Sequence, residues 1–280
     1  MRVGVGLPTT VPGSNAELMR EWAVAADAGP FSSLGVLDRI PYASFDPFVS
    51  LASAAARTTR VRLVTMVVIG PLRSAALLAK QAASVHEMSG GRLVLGLSIG
   101  ARREDYLAAG MDHRGRGRMF SEQLLQLREA WEDRTSVPGV EGNGPQLLVG
   151  GLSGQAFARA ARWGDGYVHG GGPPRAFAGA AGRARAAWRD LERPGRPHLW
   201  GQGYFALGPP DAVEAGAAYL RDYYAFTGPF ADRVAAANLT TPQQVKEFVR
   251  GYEEAGCDEL VLLPTVADLS QLQRLADVLS

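Results

Sequence analysis

Residues 89–101 read Ser89-Gly90-Gly91-Arg92-Leu93-Val94-Leu95-Gly96-Leu97-Ser98-Ile99-Gly100-Ala101. The Ser-Gly-Gly-Arg opening is a turn, and 92–97 is a strand that is apolar without alternation. A strand with one wet face alternates; one that does not is covered on both faces, as in a parallel sheet flanked by helices. Its tip, Ile99-Gly100-Ala101, is small. A strand that ends in glycine lets a flat ligand approach the backbone, because no Cβ stands in the way. A polar, arginine-rich segment then runs to Arg118. It leads into an amphipathic helix carrying Phe120, Leu124, Leu127 and Trp131 at spacings of four, three and four.

The same strand-then-helix unit recurs in both directions. Strands are predicted at 2–7, Ser33–Leu37, Val61–Val68, 92–97, Gln146–Val149, Gly166–Val168, His198–Leu207 and Leu260–Leu263. Helices are predicted between them. The first spans about 14–28, with Ser14 as N-cap. The second opens at Asp46-Pro47, cap then first-turn proline. Others are Leu72–Met88, Ser153–Trp163, 175–192, Asp211–Tyr224 and 267–279, with one that opens on the capping box Thr241-Pro242-Gln243-Gln244 and stops at Gly256. The stretch 225–239 resists assignment. A Pro/Gly-rich loop at 132–145 is the best linker candidate, but the alternation resumes unchanged beyond it.

Eight such units in 280 residues point to one α/β domain over 1–280, a (β/α)8 TIM barrel. A doubly wound open sheet is the runner-up, weakened because no dinucleotide-binding glycine turn follows the first strand. Hydrophobic residues make up 46% and charged residues 20%, so a large core is possible. The net charge of +1 gives no electrostatic case for nucleic acid or an anionic membrane. No apolar run has the length of a membrane span, and the N-terminus reads as a strand rather than a signal peptide, so a cytoplasmic protein is expected. Cys257 is the single cysteine, which excludes an intrachain disulfide. His86, His113, His169 and His198 fall in separate units, so no metal site is expected.

The working face of such a barrel lies at the C-terminal strand ends. These read Pro8-Thr9, Asp38-Arg39, Met66-Val67, Ile99-Gly100-Ala101, Gly150-Gly151, His169-Gly170-Gly171 and Tyr204. Glycines are frequent and titratable groups sparse, unlike a hydrolase with paired carboxylates or an activated nucleophile. An apolar mouth with bare backbone suits a flat organic cofactor that brings its own reactivity. Gly150-Gly151, between a strand end and a helix N-terminus, is the best anion site, though a plain turn capped by Ser153 accounts for it too. Gly170 could serve the same end. His169 is the better histidine candidate for proton transfer. Arg102, Arg103, Arg114, Arg116 and Arg118 read mostly as solvated surface.

Several blocks together resemble the luciferase-like monooxygenase superfamily, the bacterial-luciferase-like barrels that use a flavin or a deazaflavin. They are Leu63-Val64-Thr65, Pro71-Leu72-Arg73, Leu78 through Ser84, Ser89 through Leu93, Leu95 through Gly100, Arg116 through Glu122, Pro145 through Gly151, and Ala160 through Tyr167. The resemblance implies a bulge with a non-proline cis peptide near Met66-Val67, behind the cofactor ring. It implies that Ile99, Gly100 and Ala101 lie along the ring or ribityl chain and that Gly150 and Gly151 hold the phosphate. Asp38 would contact the cofactor or orient its neighbour. The chain departs from the family at Arg39, where several members carry histidine. A guanidinium is no acid or base near neutral pH, but it can stabilise an anionic ring or substrate.

The implied function is hydride transfer between an organic substrate and bound coenzyme F420, with FMN as the alternative. FMN would allow a monooxygenase served by a separate flavin reductase. A flavin-binding barrel without turnover, and a barrel for a phosphorylated substrate, are the readings of other classes. A homodimer is expected from the resemblance. Tyr42, Phe45, Tyr204, Tyr223 and Phe226 suggest an apolar or aromatic substrate pocket, with core packing accounting for about half of them.

Overall fold

The computed structural model describes residues 1–132 and 144–280; the loop expected at 132–145 lies almost wholly outside them. In chain order the elements are β1 (Arg2–Gly6), α1 (Ala16–Ala28), β2 (Ser33–Val36), α2 (Pro47–Ala55), β3 (Arg62–Thr65), β4 (Val68–Ile69) and α3 (Ala75–Met88). Then follow β5 (Leu93–Ser98), α4 (Arg103–Ala108), α5 (Arg116–Glu132), β6 (Gln146–Gly150), α6 (Gly154–Trp163), β7 (Gly166–Val168) and α7 (Pro174–Asp190). The chain ends with β8 (His198–Phe205), α8 (Pro210–Tyr223), α9 (Phe230–Ala236), α10 (Pro242–Glu254), β9 (Glu259–Pro264) and α11 (Ser270–Leu279).

Every pairing is parallel. The order β3-β2-β1-β9-β8-β7-β6-β5-β4 closes on itself through a β3–β5 pairing. β3 and β4 are two halves of one wall strand, parted at Met66-Val67, whose peptide bond is cis. The result is a closed eight-stranded barrel with helices around it, which rules out the open sheet. The strand expected to run unbroken over Val61–Val68 is therefore interrupted where the resemblance placed the bulge.

The register of side chains explains the missing alternation. Along β3, β5, β6 and β9, Leu63, Leu93, Leu147 and Leu260 face the helices, and Val64, Val94, Leu148 and Val261 face the barrel axis. Both sets are fully buried, so both must be apolar. The outer layer carries the large rings Trp22, Phe120, Trp131, Tyr167, Phe177 and Tyr252.

Helix starts follow the cap chemistry. Asp46 accepts from Phe48 and Val49 N–H, Ser153 from Ala156 N–H, and Thr241 with Gln244 completes a capping box. At α1 the cap is Asn15 rather than Ser14; Asn15 Oδ1 accepts from Glu17 and Leu18 N–H, both at 3.0 Å, while Ser14 Oγ bonds Pro8 O. The arginine-rich segment holds the short helix α4, and the unassigned stretch 225–239 holds a 3-10 turn (Ala225–Thr227) and α9. Tyr219, Leu220 and Tyr223 of α8 join the interior cluster, so α8 lies across one side of the barrel mouth.

Candidate functional site

β4, β5, β6 and β7 are consecutive in the sheet, and their ends form one arc of the mouth. Val68 pairs with Leu97, Ile69 with Ser98, Leu97 with Val149, and Gly150 with Val168. This brings Met66, Val67, Ile99, Gly100, Ala101, Gly150, Gly151 and Gly170 to the same rim. Met66 is buried within the barrel, while Val67, Ile99, Gly100 and Gly151 are half-exposed and Ala101 and Gly170 are open. None of these eight residues carries a titratable side chain.

The rim backbone is shaped by glycine where it must be. Gly100 has φ +69, and a Cβ there would come within 2.7 Å of Ile69 Cγ2. Gly151 has φ +127, and its Cβ would come within 2.8 Å of that of Ala156 on α6. Over Gly170 and over Gly154 a Cβ would meet no atom within 4 Å. Free space thus lies above the Gly170 loop and above Gly154 at the N-terminus of α6, while Gly150 and Gly151 are closely packed. A flat, phosphate-bearing group fits this cradle. Two side chains missed by sequence reading trim it. Ser98 Oγ accepts from Gly100 N–H (3.2 Å), and Tyr106 OH donates to Ile99 O (2.5 Å). The Tyr106 hydroxyl is buried and pushed up to about 12.

The opposite arc is closed by side chains. Arg39 donates from Nη1 to Tyr223 O (3.1 Å) and from Nη2 to Glu104 (3.3 Å), and its guanidinium lies 4.4 Å from the Tyr42 ring centre. Tyr42 OH donates to Asp222 Oδ2 (2.6 Å), Thr10 and Tyr219 share a 2.6 Å bond, and Tyr204 and Tyr224 a 2.8 Å bond. Arg102 directly follows the Ile99-Gly100-Ala101 tip. Its guanidinium lies 4.6 Å from the ring centres of both Tyr223 and Phe226. It is therefore not surface, unlike exposed Arg103, Arg114 and Arg118. Nothing in spacing marks Arg102 out; its ring partners sit at the end of α8 and in the 3-10 turn after it, some 120 residues later. Asp105 is fully buried, with Oδ1 accepting from Ile40 N–H (2.9 Å) and Oδ2 3.8 Å from Arg102. Burial raises its pKa. Tyr42 thus packs edge-on against Tyr223 of α8, Tyr204 packs against Tyr224, and Phe45 is 37% exposed.

Asp38 turns inward. Its Oδ2 accepts from Ile69 N–H (2.9 Å) and Arg73 Nη1 (2.7 Å), and its Oδ1 from Arg73 Nη2 (3.1 Å). His169, the histidine candidate for proton transfer, lies on the helix side of β7. On β7, Val168 faces the axis and the neighbours on either side face the helices. His169 accordingly packs between Tyr167 and the edge of Phe177 of α7, with Nδ1 3.2 Å from Tyr167 OH. Burial holds its pKa below the usual value, with Arg183 adding to the effect. His113, for which the sequence offered no partner, lies 3.2 Å from Arg116 Nη1.

Comparison with known proteins agrees with this geometry. The family model described as luciferase-like monooxygenase matches residues 1–247. An uncharacterised protein of Mycobacterium tuberculosis is 30% identical over 187 residues, a match covering 54% of this chain and 65% of that protein. The chain thus spans just under two thirds of that relative's length. Among solved structures, an F420-dependent secondary alcohol dehydrogenase in complex with an F420-acetone adduct superposes with TM-score 0.82 at 16% identity, covering 99% of this chain and 97% of the other. The oxygenating constituent of 3,6-diketocamphane monooxygenase from Pseudomonas putida, in complex with FMN, superposes with TM-score 0.71 at 16% identity, covering 94% and 91%. At such identities these structures establish the shared fold.

Proposed function

The chain belongs to the luciferase-like monooxygenase family, and from that premise we propose an oxidoreductase that transfers a hydride between an organic substrate and coenzyme F420 bound along the bare rim. FMN is the alternative cofactor. The observation that carries this reading is the arc from Val67 to Gly170: contiguous, glycine-rich, open above Gly170 and free of titratable side chains. Such a surface can hold a reactive ring but cannot itself act as acid, base or nucleophile.

In this reading Met66 and Val67 back the ring, and Ile99, Gly100 and Ala101 run alongside it. Gly150, Gly151 and Gly170 present N–H groups to the phosphate. When bound, the ring supplies the two-electron redox chemistry. The chain's own side chains exclude water on the far side, where Arg39, Arg102 and the tyrosines close the mouth. Arg39 holds a positive charge at that edge, and its Nε, buried and without a partner, is the donor left for an anionic ring or substrate. F420 is preferred because hydride transfer from a deazaflavin needs no oxygen, and the F420-dependent neighbour supports that choice.

A carrier without turnover is the second reading. It is favoured by Arg39, which stands where several family members carry histidine and is neither acid nor base near neutral pH. Titration of the purified protein with F420 and with FMN, following ring fluorescence, tests both. Tight binding of neither sinks the cofactor reading. Binding without oxidation of any of a panel of alcohols and aldehydes favours the carrier. Replacing Gly150 by leucine is expected to abolish binding, and unchanged affinity removes the phosphate site from that loop.

A further inference from the structure

We propose that Asp38 is a positioning residue that builds the back wall of the cofactor rim through the backbone of Ile69, rather than a cofactor contact. The inference rests on the cofactor reading above. Asp38 stands at the end of the β2 strand, and its side chain is 1% exposed. The bidentate pair with Arg73 is charge-assisted, and the remaining strong acceptor position takes Ile69 N–H. Arg73 is itself held by Asp46 (3.4 Å), the cap of α2. Gln123 of α5 closes the network from the other side, donating from Nε2 to Gly70 O (2.9 Å) and Arg73 O (2.7 Å). Gly70 has no room for a side chain there, since a Cβ would lie 2.9 Å from the Phe120 ring.

The network matters because of what Ile69 does next. It lies two residues beyond Val67, and β4 pairs Ile69 with Ser98. Its side chain sits against Gly100, 2.7 Å from where a Cβ would stand. One carboxylate thus fixes a backbone amide whose residue touches the rim on two strands at once, Val67 before it and Gly100 across from it. Deleting the acceptor leaves a buried N–H unpaired and frees this segment to move. The ion pair with Arg73 anchors the carboxylate and does not itself reach the rim.

The two parts separate by substitution. Asp38→Asn keeps an acceptor for Ile69 N–H and loses the charge; Asp38→Ala loses both. The expected result is that Asp38→Asn binds FMN or F420 within about threefold of wild type, while Asp38→Ala loses tenfold or more. Hydrogen exchange of the cofactor-free protein is expected to rise over 66–73 in Asp38→Ala and to stay near wild type in Asp38→Asn. Equal loss of affinity in both variants overturns the inference in favour of direct electrostatic contact. A lowered Tm with unchanged affinity in Asp38→Ala overturns it in favour of a purely structural pair. Should Asp38→Ala fail to fold, Ile69→Ala takes over, because it leaves every hydrogen bond of the network and removes only the contact with Gly100. An affinity loss of about tenfold is expected, and none overturns the inference. Wild type that binds neither cofactor overturns the cofactor reading and this inference with it; bound wild type with an unaffected Asp38→Ala overturns the inference alone.

Discussion

One methyl group at Gly170 separates a binding surface from a vacant loop. A Cβ there meets no atom within 4 Å, and Gly170 is not among the glycines with positive φ. Alanine therefore introduces neither a clash nor backbone strain. Restricting the unfolded chain favours the folded state by about 0.4–1 kcal/mol at a compatible site. At roughly 2–4 °C per kcal/mol for a domain near this size, Tm should rise by no more than about 4 °C. Binding behaves differently if a phosphate-bearing group sits over this loop. Forcing a methyl group into an occupied contact costs about 1–3 kcal/mol, which is roughly a 5- to 150-fold rise in Kd. The assay pairs a thermal melt without ligand with fluorescence titration of FMN and F420. Gly179→Ala is the control: its Cβ also meets nothing, but it lies within α7, so Tm should rise and Kd should not change. Gly170→Ala with unchanged Kd would refute the placement of the cofactor across the ends of β6 and β7.

Three further outcomes follow from His169, Asp105 and Tyr42. His169 prefers its neutral form because it is buried, so below about pH 6.5 the unfolded chain binds a proton that the folded chain refuses. Stability therefore falls as pH drops from there toward the depressed folded value; His169→Asn should flatten Tm against pH between about 7 and 5 and leave cofactor affinity unchanged, and a cofactor Kd that rises places the ring back in the site. Asp105 has its pKa raised by burial, so its contribution to stability declines as pH climbs from 3.8 through the folded value. Asp105→Asn, which keeps an acceptor for Ile40 N–H, should raise Tm at pH 7 by a margin that closes toward pH 3.8; equal Tm at both ends overturns this. Tyr42→Phe removes the 2.6 Å bond to Asp222 that ties the β2–α2 loop to α8. A loss of about 1 kcal/mol is expected, seen as a Tm lowered by roughly 2–4 °C.

The barrel was legible because burial on both faces writes itself into composition. Leu93-Val94-Leu95 and Leu147-Leu148-Val149 are apolar at every position, and capping signals at Asp46, Ser153 and Thr241 mark where the intervening helices start. The bare rim was legible for the same local reason: Gly100, Gly151 and Gly170 announce exposed backbone. What escaped was everything decided by direction or by distance along the chain. His169 and Val168 are neighbours in sequence, and only the strand's phase sends one outward and the other to the axis. Arg102 reads as one of five arginines, yet its ring partners lie on the α8–α9 segment, the stretch with the weakest periodicity. The family resemblance implies that Asp38 contacts the cofactor or orients its neighbour; its bidentate partner Arg73, 35 residues away, is marked by no spacing.

The two arcs of the mouth divide the labour physically. On one side, β4 to β7 present backbone and small residues, whose shape depends on strand register and on the carboxylate under Ile69. On the other, α8 is held across the opening by Arg39, Tyr42, Thr10 and Arg102, all from strand-end loops. Single contacts of this kind are individually weak, about 0.5–1.5 kcal/mol each, so the second arc can change residue by residue without unseating the first. Arg102 is where the arcs meet, one residue past Ala101 and against Tyr223. In the proposed function, a substrate over the rim would have this arginine and the α8 tyrosines as its neighbours. Substitutions along 219–227 should therefore change which substrate is turned over, and leave cofactor Kd close to that of wild type.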